Sequence, residues 1–340
     1  FFLIKKQLGF ALAGFAFMAG FARLPWRYLE KYAYVGLALA VALLAATFVP
    51  GLGFRAGGAQ RWIRLFGGSI GFQPAELAKV AVVIFVARQL ANRQDRLQKF
   101  SAGVLANFLV PLPVFFLLLS QPDFGSVVIL TLVIFSMMFL AGVRLSHLLL
   151  VAGGSGLIGA ALVLGSAYRR ARLATFLDPW SDPAGKGFQI IQSLLGFHNG
   201  KIWGVGLGNG KEKLFYLPEA HNDFIFAVIG EELGYLGVVA VCLAFLGLIY
   251  LGCRIGWNHA KANPDQSRFA TYLAVGLTLL LGFQAFVNMA VVMGLLPTKG
   301  LNLPFISYGG SALFVDLISV GIILGVGRRM RPCDSKPRPA

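Results

Sequence analysis

Residues 223–252 read DFIFAVIGEELGYLGVVAVCLAFLGLIYLG. Beyond Asp223 the only charged side chains are Glu231 and Glu232, and from Leu233 onward the segment carries none. A hydrocarbon core about 30 Å thick is crossed by about 20 such residues as a helix. The pattern repeats on both sides. Apolar spans near 8–22, 32–49, 74–91, 103–119, 125–142, 145–166, 269–293 and 310–327 join 223–252, giving nine. The 340-residue chain is 57% hydrophobic and 13% charged, with a mean hydropathy of +0.73, where soluble domains are about 45–50% apolar and about 25% charged. The sequence therefore predicts an all-α, polytopic transmembrane helical bundle, a single integral membrane domain over 1–340. Segments of about 10 residues alternating in polarity, as in a transmembrane β-barrel, are not found.

The formal charge of +16 raises nucleic acid as a partner, but the Lys and Arg residues sit between apolar runs and not along one soluble face. Membrane lipids with anionic headgroups account for them, and no nucleic acid is expected. Basic residues crowd the short connections near 23–31, 92–100, 143–144 and 253–268 and the tail from Arg328. The opposite short connections hold fewer: Lys5, Lys6, Arg55, Arg61, Arg64 and Lys299. The positive-inside rule then makes the tail (328–340) cytoplasmic and the long connections 50–73 and 167–222 extracytoplasmic. The 167–222 loop carries further basic residues, and its length nears the limit of the rule. This orientation puts Phe1 outside, so a further helix is expected upstream; no secretory n-region or cleavage site is recognisable.

Several chemistries are disfavoured. Cys242, Cys253 and Cys333 form no CxxC pattern, and His147, His198, His221 and His259 are scattered, so neither a disulfide framework nor a metal site is indicated. Walker A, GxGxxG and DxD patterns are missing, and Gly204–Gly210 (GVGLGNG) fits neither glycine spacing.

Two places concentrate titratable groups. Gln73-Pro74-Ala75-Glu76-Leu77-Ala78-Lys79 opens an apolar span with proline at a favoured first position. Glu76 and Lys79 then lie one turn apart on one face. Ionisable residues inside a membrane are functional candidates, and the alternative is a local salt bridge that lets two charges enter the bilayer edge. The large loop ends in Glu219-Ala220-His221-Asn222-Asp223, directly before the 223–252 span. Asp223 is placed to cap that helix, and it is also placed for acid–base work at the membrane surface. Glu231 and Glu232 lie about 12 Å further along and are expected to pair structurally with another helix; Asp316 stays ambiguous. Arg61, Arg64, Arg169, Arg170 and Arg172 suit a diphosphate headgroup through their planar fork, while snorkelling accounts for any one of them.

Together these segments resemble the SEDS family (shape, elongation, division and sporulation), specifically its FtsW-like division branch. The matching stretches are GGAQRWIRL (57–65), QPAELAK (73–79), QPDFGS (121–126), RRARLATFLDPWSDPAGKGFQIIQSL (169–194), GVGLGNGKEKLFYLPEAHNDFIFAVIGEELG (204–234) and GLLPTKGLNLPFISYGGSA (294–312). LFYLPEAH and LLPTKGL look more like the division members than the elongation members.

The resemblance implies about ten helices and a peptidoglycan glycosyltransferase of the bacterial inner membrane, working at the division septum. It implies lipid II as substrate, and a class B penicillin-binding protein with other division membrane proteins as partners. The family's essential aspartate falls on Asp223, and its membrane Glu and Lys fall on Glu76 and Lys79. Substrate contacts are expected from Arg61, Arg64, Arg169, Arg170, Arg172, Gln192, Glu219, His221, Lys299 and Ser307. The chain departs from the family pattern at Asn222 (threonine is usual), Ala312 (serine) and Asp316 (asparagine), and its first helix is missing. An α-linked donor and a β-linked product imply one inverting displacement. A divalent cation such as Mg would suit the diphosphate charge, yet no ligand set demands one. A lipid II flippase is the alternative, though the inverted repeats common in transporters are not evident. A division scaffold is a third reading and leaves the clustered charges without a role.

Overall fold

The computed structural model describes residues 2–56, 59–65, 70–185, 187–211, 221–262, 268–298 and 300–328. Backbone polar groups in lipid must be satisfied within the chain, and helices do this almost throughout. In order they are α1 (Phe2–Phe21), α2 (Trp26–Lys31), α3 (Ala33–Ala46), α4 (Pro74–Asn92), α5 (Ala106–Leu109), α6 (Leu112–Ser120) and α7 (Phe124–Leu140). Then follow α8 (Leu145–Leu164), α9 (Ala167–Leu177), α10 (Phe188–Gly200), α11 (Ile225–Ala262), α12 (Phe269–Val292) and α13 (Gly310–Arg328).

Each expected apolar span falls on helical chain, that near 103–119 on a bent pair of pieces. Among the described residues α8, α11, α12 and α13 are each long and apolar enough to cross a membrane alone. The pair Gly103–Leu109 and Leu112–Ser120, bent by 44°, is long and apolar enough for a fifth span only when the two pieces are taken together, while Gln7–Phe21, Ala33–Ala46 and Phe124–Leu140 are apolar but shorter. The bend sits at Pro111, whose ring cannot donate and crowds the preceding turn. Only 6% of the apolar window of α8 is buried, against 72% for α12 and 67% for α13. The first of these is a helix for lipid, and the other two are interior elements.

The connections are more ordered than expected. The 50–73 loop folds into a three-stranded antiparallel sheet of β1 (Gly53–Ala56), β2 (Ala59–Leu65) and β3 (Ile70–Phe72). The 167–222 loop contains α9 and α10. The helix expected to stop near 252 runs on to Ala262.

Two compact units organise the contacts. The first holds residues 1–144, 248–280 and 310–340. Its centre is α4, nearly every residue of which is buried from Pro74 to Leu90, packed by α3, α7 and α13. Along α13, Gly321 and Gly325 let the α1 backbone at Met18 and Phe21 approach closely, the small-residue packing that membranes favour. The QPDFGS stretch turns α6 into α7. Gln121 donates to Leu44 O and Thr47 Oγ1, and Asp123 caps α7 through Ser126 N and Oγ.

The second unit holds residues 145–247 and 281–309, around a core that includes Phe224, Phe226, Phe245, Met289 and Leu303. Its main feature is a break in α11 at Gly234 (φ 65°, ψ −163°), a conformation reserved to glycine. A regular helix would bond the N–H groups of Tyr235 and Leu236 to the carbonyls of Glu231 and Glu232. Here they donate instead to Lys201 O (2.8 Å) and Ile202 O (3.3 Å), while Glu231 O and Glu232 O accept from Val205 N (3.0 Å) and Gly206 N (3.1 Å). The 201–206 loop is thus spliced into the helical ladder, and these four backbone groups find partners across the break. Gly204 (φ 79°) is required because a Cβ there would strike the Glu232 carbonyl.

Candidate functional site

Within the first unit, the Gln73 N–H donates to Ser311 Oγ (3.2 Å) and Ser311 Oγ donates to Gly71 O (3.3 Å), tying the first turn of α4 to β3 and α13. One turn further in, Lys79 Nζ stands 3.0 Å from each carboxylate oxygen of Glu76. Lys79 is 1% exposed and Glu76 7%, so each charge depends on the other in a low-dielectric interior. Glu76 also lies in the first turn of its helix, where the dipole favours an anion. Asp316 is buried on α13 of the same unit.

Arg61 does not present its guanidinium freely: Nε donates to Gln121 O (2.8 Å) and Nη2 to Pro122 O (2.7 Å), pinning the α6–α7 turn to β2. Arg64 is exposed and its guanidinium lies 5.3 Å from the Phe54 ring centroid.

Asp223 belongs to the second unit, in the turn before α11. Three consecutive carbonyls of this turn are gripped from 288–308. Tyr308 N donates to His221 O (2.9 Å), Ser307 Oγ to Asn222 O (2.7 Å) and Asn288 Nδ2 to Asp223 O (2.8 Å). Asn288 Nδ2 also donates to Leu301 O, so one buried amide joins the Asp223 turn to the 300–303 segment. Gly300 runs so close that a Cβ there would lie 3.0 Å from Asp223 Oδ2. The backbone is fixed, and the half-buried carboxylate is set against a strip of chain with no side chain of its own. Ser307 is buried and occupied twice over, accepting from Leu303 N as it donates to Asn222; its place is in this scaffold and not on an open surface. His221 is exposed at the rim.

Arg169 Nη1 and Arg170 Nη1 donate to Leu162 O (2.9 Å) and Leu164 O (2.8 Å), capping the carbonyl end of α8 where cations are favoured. Arg172 Nη1 donates to Thr298 O (3.1 Å), two residues from Gly300. Gln192 is half-buried on α10, beside Ser193, whose hydroxyl donates to Val292 O (2.6 Å).

The carboxylates of Glu231 and Glu232 hold the spliced loop. Glu231 Oε1 accepts from Lys211 N (2.9 Å) and Glu232 Oε2 from Gly208 N (3.0 Å). The glycines of 204–210 serve this close approach. Glu219 and Lys299 lie outside the described residues. Among the described residues, no three His, Cys, Asp or Glu side chains gather as a metal-binding group. Sequence reasoning missed Asn288; its signal was available as an amide within an apolar span, a costly placement that calls for partners.

The sequence profile of the family described as "Cell cycle protein" (FtsW, RodA, SpoVE) matches residues 1–331. A Geobacter sulfurreducens protein named "Probable peptidoglycan glycosyltransferase FtsW" is 46% identical over 331 residues, covering 97% of this chain and 87% of the relative. A Halorhodospira halophila protein of the same name is 43% identical over 339 residues, covering 99% and 84%. Among solved structures, a chain from "Structural coordination of polymerization and crosslinking by a peptidoglycan synthase complex" aligns with a TM-score of 0.78 at 31% identity, covering 96% of this chain and 89% of that one. The rod shape determining protein RodA of Thermus thermophilus aligns with a TM-score of 0.69 at 28% identity, covering 97% and 89%. The chain is a multi-pass helical membrane protein, and it belongs to the FtsW/RodA/SpoVE family.

Proposed function

We infer that this protein is a peptidoglycan glycosyltransferase that polymerises lipid II into glycan strands for the division septum. What carries the assignment is likeness along nearly the whole chain to relatives of that name at 43–46% identity. The flippase and scaffold readings have no comparable support. In the orientation set by the basic residues, the Asp223 turn faces the extracytoplasmic side and the C-terminal end of α11 faces the cytoplasm. A class B penicillin-binding protein is the proposed partner, in line with the synthase complex above.

Asp223 is the proposed general base. Its carboxylate takes the proton of the acceptor hydroxyl as that oxygen forms a bond to the donor's anomeric carbon. The bond from that carbon to the diphosphate breaks on the opposite face, and undecaprenyl diphosphate leaves with the electron pair. One displacement of this kind converts an α-linked donor into a β-linked product. A base must be held in place before its pKa matters, and the grip of Asn288, Ser307 and Tyr308 supports this role. Arg172, bonded beside Gly300, is proposed to meet the departing diphosphate, with Lys299 as a further candidate. Arg61, Arg169 and Arg170 are assigned to structure. Glu76 and Lys79 are proposed to position α4 and not to touch the reacting atoms.

The test is chain formation from labelled lipid II by the purified protein with its partner. Glycan strands support the reading, and translocation of lipid II without strands overturns it.

A further inference from the structure

One cavity lies outside everything assigned above. Within the first unit, where α7 and α11 end and α12 begins, a space of about 900 Å³ opens. Leu140 and Val275 give it apolar wall, and Tyr250, Trp257, Arg254 and Arg268 line it as well. Tyr250, Arg254 and Trp257 follow at i, i+4 and i+7, which is one face of α11. Tyr250 is 62% exposed and Trp257 63%, large aromatics left open at a helix end as at membrane–water interfaces. Lys261 Nζ adds a third cation, 5.4 Å from the Trp257 ring centroid. Among the described residues no acid lines the cavity, and neither the Arg254 nor the Arg268 guanidinium has a hydrogen bond or ion pair.

We propose that this cavity is a binding site for an anionic phospholipid of the leaflet at the C-terminal end of α11, the cytoplasmic leaflet in the orientation above. The phosphate sits on Arg254 and Arg268, and an acyl chain runs along Leu140 and Val275 with Tyr250 and Trp257 at headgroup level. Two guanidiniums with no acid beside them among the described residues select for negative charge, and basic pockets between membrane helices on this side suit such headgroups. A soluble phosphate would leave the apolar wall uncovered. A zwitterionic lipid offers the same phosphate but brings its own ammonium, so the charge of the two guanidiniums stays uncancelled.

The site is tested on the purified full chain in mild detergent by native mass spectrometry, with phosphatidylglycerol and phosphatidylcholine of identical acyl chains. Phosphatidylglycerol is retained preferentially, and Arg254→Gln with Arg268→Gln weakens it about 30-fold at an unchanged melting temperature. Arg328→Gln, elsewhere on the same side, leaves retention unchanged. Phosphatidylglycerol brominated on its acyl chains quenches the fluorescence that Trp257→Phe removes. Equal retention of phosphatidylcholine, undiminished binding in the double variant, or displacement by millimolar glycerol phosphate would each overturn the proposal. So would retention of neither lipid, which would leave this face to a protein partner.

Discussion

Replacing Lys79 by methionine keeps most of the side-chain volume and removes the charge that Glu76 contacts at 3.0 Å with both oxygens. Glu76, 7% exposed, is then a carboxylate without a counter-ion. Breaking a buried pair from one side costs about 3–5 kcal/mol, a fall in melting temperature on the order of 10 °C. Glu76→Gln alone strands the ammonium and costs a similar amount. The double variant removes both charges, and a neutral pair of similar shape is close to the wild type in stability. The coupling between the two changes is therefore several kcal/mol, well above the scatter of non-interacting sites. Four proteins are needed, each measured for detergent melting and for chain formation from lipid II. If the pair positions α4, activity returns with stability in the double variant. A double variant that melts normally yet stays inactive would refute the positioning role and put one of the charges in the reaction. Additive losses in melting would refute the ion-pair argument itself.

Gly234→Ala forces a Cβ into a glycine-only conformation and against Ile202 O; strain of about 1–3 kcal/mol and weakened splice hydrogen bonds should lower the melting temperature and expose the 201–211 loop to protease. Asn288→Ala removes the amide between Asp223 O and Leu301 O, so chain formation should fall about tenfold or more while lipid II binding is kept; unchanged turnover would free Asp223 of this support. In a background without native cysteines, Gly185→Cys should react with an impermeant thiol reagent from outside and Ala262→Cys should not, and reversed labelling would remove the extracytoplasmic site.

The helices were legible because each apolar span must satisfy its backbone internally, and hydropathy alone reports that. The Glu76–Lys79 pair was legible as well, since two opposite charges at i and i+3 in an apolar span have few other partners. The spliced loop was not. Glu231 and Glu232 read as structural, but nothing local says that Gly234 opens the ladder and that residues 201–206 fill it. Arg61, Arg169 and Arg170 read as phosphate ligands by residue type. In the structure they donate to carbonyls, of Gln121 and Pro122 for the first and of Leu162 and Leu164 for the others, and a carbonyl leaves no mark in a sequence. The sheet at 53–72 escaped notice because its strands are short and divided by glycines. Asn288 escaped because a single amide in a long apolar run looks incidental until the chain folds 65 positions back to Asp223.

The central claim is that Asp223 acts as the base. Asp223→Asn keeps size and shape, and its backbone carbonyl still accepts from Asn288, but the amide cannot take a proton. The decisive measurement is glycan chain formation from labelled lipid II by purified Asp223→Asn with its class B penicillin-binding protein, beside a melting curve and a lipid II binding isotherm of the same sample. The account predicts an unchanged melting temperature, retained binding, and a rate lower by about 10²–10⁴, the usual contribution of general acid–base catalysis. Chain formation near the wild-type rate would contradict it.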